Sequence, residues 1–468
     1  MRIPGPAARA DGGAGAIAAA GGLHTYQLRL HADYGPVVRF QLPGAGEVVS
    51  IADPVLLEAT ADIDRRPERL FAFLDPLCEA GNLQVMPAEE HAPWRQLLLS
   101  VLAGRPSHER HFARFTELVM ELADRWAEQS EEAEQSEEAE QAGGAGQTGA
   151  AAQPGQPDGT QQASVALQKD LTALSLRMIG GYALGGEVAD PDGVVAAFED
   201  VLTAHLGRLY DAPPADLQAA RDERAEVALA QLRVTVDELV GKHRSGGRTD
   251  RSDLIGALVA AGERPARIRD TAMVTMLAAH HTTGVAVSWT LHLLGRHPDV
   301  AERVADELDQ VLGTRTAPEY ADLRRLRYLD MTLKEAMRLY PPGPYGARET
   351  SEALVVGDYE IPAGMTVFCP FWAVHMNPEY WPEPERFRPE RFTPEESAGR
   401  PKLAYVPFGF GPRSCEGAAL ATVEAQLMLA VLLKRFRFRP VPGHGVTPIE
   451  RFVLWAADDI RMTVSLRR

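Results

Sequence analysis

Near the C-terminus a stretch punctuated by glycine and proline, residues 405–417, places Cys415 just before an alanine- and leucine-rich run that reads as a helix. A thiol there faces the positive end of the helix macrodipole and several unpaired backbone N–H groups, which favour the thiolate and hence a metal ligand or a nucleophile. Gly409 and Gly411 let the preceding loop turn tightly and bring N–H groups up to the sulfur. A buried structural thiol is the plainer alternative, because free cysteine is among the most buried residue types. Zinc fits poorly, since no second Cys or His lies at ligand spacing from Cys415, and a cysteine hydrolase needs a histidine base close by.

Other groupings could also carry chemistry. Glu335 and Arg338 are three residues apart and share a helical face, and Pro341 ends that helix. His91 and Arg95 are one helical turn apart, although Pro93 between them marks a helix start. His280, His281, Thr282 and Thr283 form a polar cluster inside a long apolar helix, where buried polar groups usually serve something. Imidazole titrates near neutrality, so His281 could pass protons toward Thr282; the alternative is that it points into the helix bundle onto a partner there. Adjacent helical residues diverge by about 100°, which argues against a metal site made of His280 and His281.

Phe408, Gly411, Arg413, Cys415 and Gly417 reproduce the pattern FxxGxRxCxG, which resembles the haem-binding loop of the cytochrome P-450 family. The resemblance implies that Cys415 is the thiolate ligand of haem iron and that Phe408 covers the sulfur side of the macrocycle. It further implies that Arg413 pairs with a propionate and that Gly417 permits close helix approach. Upstream landmarks follow in order. Glu335 and Arg338 resemble the ExxR motif, with Arg391 as third member of a buried structural triad. His91 and Arg95 resemble the HxxxR pair that reaches the propionates, and Arg348 falls where a further propionate-binding arginine stands. Thr282 matches the oxygen-side threonine. Two positions depart from the family pattern: Ala279 stands where Gly is usual and His281 replaces an acid, which alters the usual proton route.

What the resemblance implies is a haem-thiolate monooxygenase that uses haem b (iron protoporphyrin IX) to insert one oxygen atom from O2 into a small, mostly apolar substrate of secondary metabolism. Only 53 residues follow Cys415 and no flavin or NAD fingerprint is present, so electrons are expected from a ferredoxin or flavodoxin with an NAD(P)H-dependent reductase. That partner is expected to dock near Arg95, Lys334 or Lys402. Specificity is expected in residues 71–86, in the helices flanking 211–214, and around 344–347 and 453–456, with Phe71, Phe73, Leu74, Tyr345 and Trp455 suggesting an apolar pocket. Alternatives of the same fold are a peroxide-dependent or non-oxygenating enzyme and a haem protein that binds or senses without turnover.

The elements that must position these residues are mostly helices. Apolar spacing predicts them at 113–126, 165–182, 193–209, 217–243, 265–296, 300–312 and 331–339. Strands are expected at 37–41, 47–51, 353–356, 366–369 and 461–466. The fold class is therefore mainly α with a minor β part, and the resemblance implies the cytochrome P-450 fold in a single large haem-binding domain over residues 1–468. An acidic insertion rich in Gly and Gln at 127–163, with no Lys or Arg, is expected to be disordered, its first part extending a helix. The net charge of -17 speaks against a nucleic-acid partner, which would need clustered Lys and Arg. No apolar run is long enough to cross a membrane. With three cysteines and no signal peptide, a cytoplasmic monomer is expected.

Overall fold

The computed structural model of the chain describes residues 2–144, 164–210, 214–245 and 252–467. Its axis is the helix Pro265–Arg296, here the central helix, which opens with proline in its first turn, where a missing N–H costs nothing. Most of its length is buried. It packs against the helix Leu167–Ala183, the helix Arg327–Leu339 (the triad helix) and the helix Ala418–Arg435 (the cysteine helix). Gly284 permits the first of these contacts, since a methyl group there would lie 2.7 Å from the backbone nitrogen of Thr172. Above the central helix runs Pro191–Tyr210, the roof helix, joined to Ala215–Ser245.

The β part is small and lies to one side, with its own apolar clusters. A four-stranded sheet has the order Val37–Leu42, Gly46–Ile51, Thr366–Cys369 and Gly346–Glu349. Its last pair is antiparallel and sets Arg348 opposite Val367. A second sheet joins Ser164–Ala166, Arg461–Leu466 and Phe436–Pro440, and a hairpin pairs Pro448–Glu450 with Leu454–Ala456.

The sequence pattern finds the central helix with its observed ends and the strands Thr366–Cys369 and Arg461–Leu466 likewise. The other expected elements differ from the observed ones at one or both ends. The helix expected from 165 begins as a strand, because Val165 pairs with Met462 before the chain turns helical. In the insertion from 127 the first part extends a helix as expected: Arg105–Gly144 runs through the tandem glutamates, as Glu, Ala and Gln are good helix formers. The remainder of that insertion, 145–163, and residues 211–213 lie outside the described residues. Among the described residues no helix is long and apolar enough to cross a membrane.

Candidate active site

Cys415 enters its position through two glycines. Gly409 and Gly411 both have φ of 68°, and a methyl group on Gly411 would sit 2.0 Å from the Ala61 carbonyl oxygen. Only glycine turns the chain there. The loop closes where the Cys415 N–H donates to the Phe408 carbonyl at 2.9 Å. Cys415 is the one cysteine of the three with open surface, and that surface lies inside the protein, on a cavity of about 300 Å³ that Phe408, Arg413 and Thr282 also line. Gly417 presents its N–H to the sulfur. A methyl group at Gly417 would meet only Cys415 Sγ, at 3.9 Å, so the room this glycine leaves lies beside the sulfur.

A buried charge network stands behind the loop. The Glu335 carboxylate takes Arg338 Nε at 2.7 Å and Nη2 at 2.8 Å, Arg391 Nε at 3.2 Å and the Arg388 N–H at 3.0 Å. Glu335 and Arg338 are fully buried and Arg391 nearly so. Arg338 also donates to the His375 carbonyl at 3.0 Å, and His375 Nε2 accepts the Val406 N–H at 2.8 Å, which carries the network into the cysteine loop. Burial and the adjacent Arg338 push His375 down to about 3, so it stays a neutral acceptor.

Beside the cavity four arginines, Arg66, Arg95, Arg348 and Arg413, meet two carboxylates, Asp64 and Glu416. Arg413 pairs with Asp64 and donates to the Met86 carbonyl at 2.5 Å. Arg348 donates to the Phe410 carbonyl at 2.8 Å while its Nε has no partner among the described residues, and the Nε of Arg66 is likewise unpartnered. Burial, then repulsion from Arg348 and Arg413, pushes Arg66 down to about 9. His91 is buried with Nδ1 3.2 Å from Asp64, and burial lowers its basicity. Arg95 reaches the Ser414 carbonyl at 2.5 Å and pairs with Glu416, so it braces the loop from outside the cavity lining. The sequence reading missed Arg66 and Asp64, which belong to no motif and reach the site only through the fold.

Thr282 lines the cavity, its hydroxyl donating to the Ala278 carbonyl at 2.7 Å. His281 does not join it. The imidazole turns into the bundle, where its Nε2 lies 2.6 Å from Glu199 Oε1 and its ring packs 5.7 Å from that of Trp455. The cause is rotation along the helix: one residue turns the side chain by about 100°, so Thr282 faces the cavity and His281 the roof helix. The expectation that His281 passes protons to Thr282 is corrected accordingly, and the bundle-facing alternative is the arrangement observed.

A family model for cytochrome P-450 matches residues 153–464. The chain belongs to the cytochrome P-450 family. It is similar to cyclooctatin synthase of Streptomyces melanosporofaciens, 35% identical over 249 residues, which are 52% of this chain and 54% of the relative. It is similar as well to cyclooctat-9-en-7-ol 5-monooxygenase of the same organism, 36% identical over 229 residues, 47% of this chain and 50% of the relative. A third likeness is to cytochrome P-450 4V2 of Mus musculus, 44% identical over 170 residues, 36% of this chain and 32% of the relative. The chain thus spans about half or less of the length of these relatives.

Membership in the P-450 family implies a haem cofactor, and the residues fit one. Among the described residues two positive charges beside the cavity are left without carboxylates and two buried guanidinium Nε atoms lack partners, which suits a group carrying two carboxylates. Among the described residues no three His, Cys, Asp or Glu side chains gather to hold a metal ion. One expectation changes. Burial, reinforced by the Glu416 carboxylate, pushes the free thiol up to about 11 despite the Gly417 N–H and the nearby arginines. The helix end alone does not make the thiolate; a cation on the sulfur is what would.

Proposed function

We propose that this P-450 is a cytoplasmic, monomeric haem-thiolate monooxygenase that inserts one oxygen atom from O2 into a small, mostly apolar organic substrate of secondary metabolism. The observation that carries the reading is one cavity lined by the Cys415 sulfur, the Thr282 hydroxyl and the cationic cluster of Arg66, Arg348 and Arg413. Haem b bound there supplies oxygen activation. The chain's own part is to hold the cofactor through Cys415 and the arginines, to cover the sulfur with Phe408, and to present the Thr282 hydroxyl as a proton donor or acceptor. The substrate side is apolar, walled by Phe71, Phe73, Leu74, Val274, Leu277 and Phe452. An apolar substrate also suits the likeness to a monooxygenase named for cyclooctat-9-en-7-ol.

Electrons come from a ferredoxin or flavodoxin served by an NAD(P)H-dependent reductase. A groove of about 580 Å³ against the outer face of the cysteine helix, lined by Arg324 and Arg327 among others, supports docking of an acidic partner there. Lys334 is paired with Asp330 at 2.6 Å and Arg95 with Glu416, so these two contribute less free charge than the sequence suggests. Spectral titration of the ferric holoprotein with a panel of apolar metabolites tests the reading: displacement of iron-bound water by at least one supports it, and a haem-free protein contradicts it.

A second reading, a peroxide-dependent enzyme of the same fold, is favoured by one feature. His281 is bound to Glu199 and His280 is turned onto the Met276 carbonyl, so among the described residues neither carboxylate nor imidazole adjoins Thr282 on the cavity wall. Turnover with hydrogen peroxide, compared with turnover on O2 and reductase, separates the two.

A further inference from the structure

The hairpin Pro448–Glu450 and Leu454–Ala456 leaves a turn of three residues, Arg451, Phe452 and Val453, whose tip is gripped from both sides. On one side Glu450 accepts the Tyr345 hydroxyl at 2.7 Å together with the backbone N–H and Nδ1 of His24. His24 is 3% exposed and stacks on Trp372 with ring centres 4.5 Å apart. On the other side Arg451 donates to Glu199 Oε2 at 2.9 Å, while Glu199 Oε1 takes His281 at 2.6 Å. Between the two grips Phe452 faces the cavity, its ring 6.1 Å from that of Phe73 and 6.4 Å from that of His281. The two clusters thereby tie the N-terminal helix Leu23–Tyr34, the roof helix and the central helix to one turn.

Burial alone would raise both carboxyl groups. Hydrogen bonds and charge from His281 and Arg451 outweigh it at Glu199, and those from His24 and Tyr345 at Glu450, so both are held below the ordinary carboxylate range. An aromatic ring on a three-residue turn makes a firm wall only if its backbone is fixed, and ionic hydrogen bonds on both flanks supply that restraint. We propose that Glu199 and Glu450 are positioning residues that clamp the turn 451–453 from its two flanks and so fix how far Phe452 projects into the cavity. This rests on the reading of the cavity as a haem-thiolate site.

The test compares the affinity of the ferric holoprotein for imidazole and for a biphenyl-substituted imidazole, read from the haem spectrum. Phe452→Ala is expected to shift the ratio of the two dissociation constants toward the bulky ligand by about fivefold, and Phe452→Leu by less. Glu199→Gln and Glu450→Gln shift the same ratio by about two- to threefold with imidazole affinity and haem content unchanged, and Arg451→Met, a milder break, does so to a smaller extent. A Phe452→Ala ratio equal to wild type overturns the proposal. So does a set of carboxylate variants that leaves the ratio fixed or weakens both ligands equally. A wild-type protein whose ferrous carbonyl spectrum lacks the thiolate signature overturns the functional reading instead.

Discussion

The two sides of the cavity are built on different principles. Behind the cysteine loop, Glu335 collects four N–H donors, and its partners carry the network through His375 into the loop itself, almost without solvent. On the roof, Glu199 remains 20% exposed and Arg451 39%, and the restraint on Phe452 comes from separate charge pairs contributed by distant segments. The first arrangement is all or nothing, because a buried charge network missing one member leaves an uncompensated ion. The second can be loosened one contact at a time.

Breaking the buried side is expected to have the largest effect. Glu335→Ala strands Arg338 and Arg391 and should cost about 3 to 5 kcal/mol in chemical denaturation, with loss of haem from the refolded protein; a loss under about 1 kcal/mol would show that the network is not the support of the loop. Next comes Gly411→Ala, which meets the Ala61 carbonyl and a left-handed backbone and should cost about 1 to 3 kcal/mol or more.

A third prediction sharpens the comparison by using an unsatisfied carboxyl group on the buried side. Glu424 of the cysteine helix is 2% exposed, and its Oε1 has no partner among the described residues; burial raises it to about 8. Its folded pKa lies above the unfolded value, so its contribution to stability is complete below about pH 4.5 and is lost as pH rises through about 8. The slope between should approach about 1.4 kcal/mol per pH unit, and Glu424→Gln should flatten it. An identical slope in wild type and variant would contradict the assignment. Smallest in stability is Thr282→Val, within about 1 kcal/mol. Its expected mark is functional: product formed per NAD(P)H consumed falls about tenfold or more.

Legibility follows the same division. Cys415, Arg413 and Phe408 lie within eight residues of one another, and Glu335 and Arg338 within one helical turn, so sequence spacing alone brings them together. The central helix and two strands were readable for the same reason, as a period repeated over a window. Arg66, Glu199 and Glu450 had no such signature. Their partners are 347, 82 and 105 residues away in the chain, and only tertiary packing makes them neighbours. His281 shows the limit most clearly: its type suggested proton transfer, but its helical phase, set by the close approach of Gly284 to the helix Leu167–Ala183, turns it toward Glu199.

The central claim is that Cys415 is the sulfur bound to haem iron. The ferrous carbonyl spectrum of haem-loaded wild type and Cys415→Ser measures it most directly: the wild type should show the red-shifted thiolate band and the variant should lose it. An unshifted band in wild type, or a band that survives the substitution, would contradict the account.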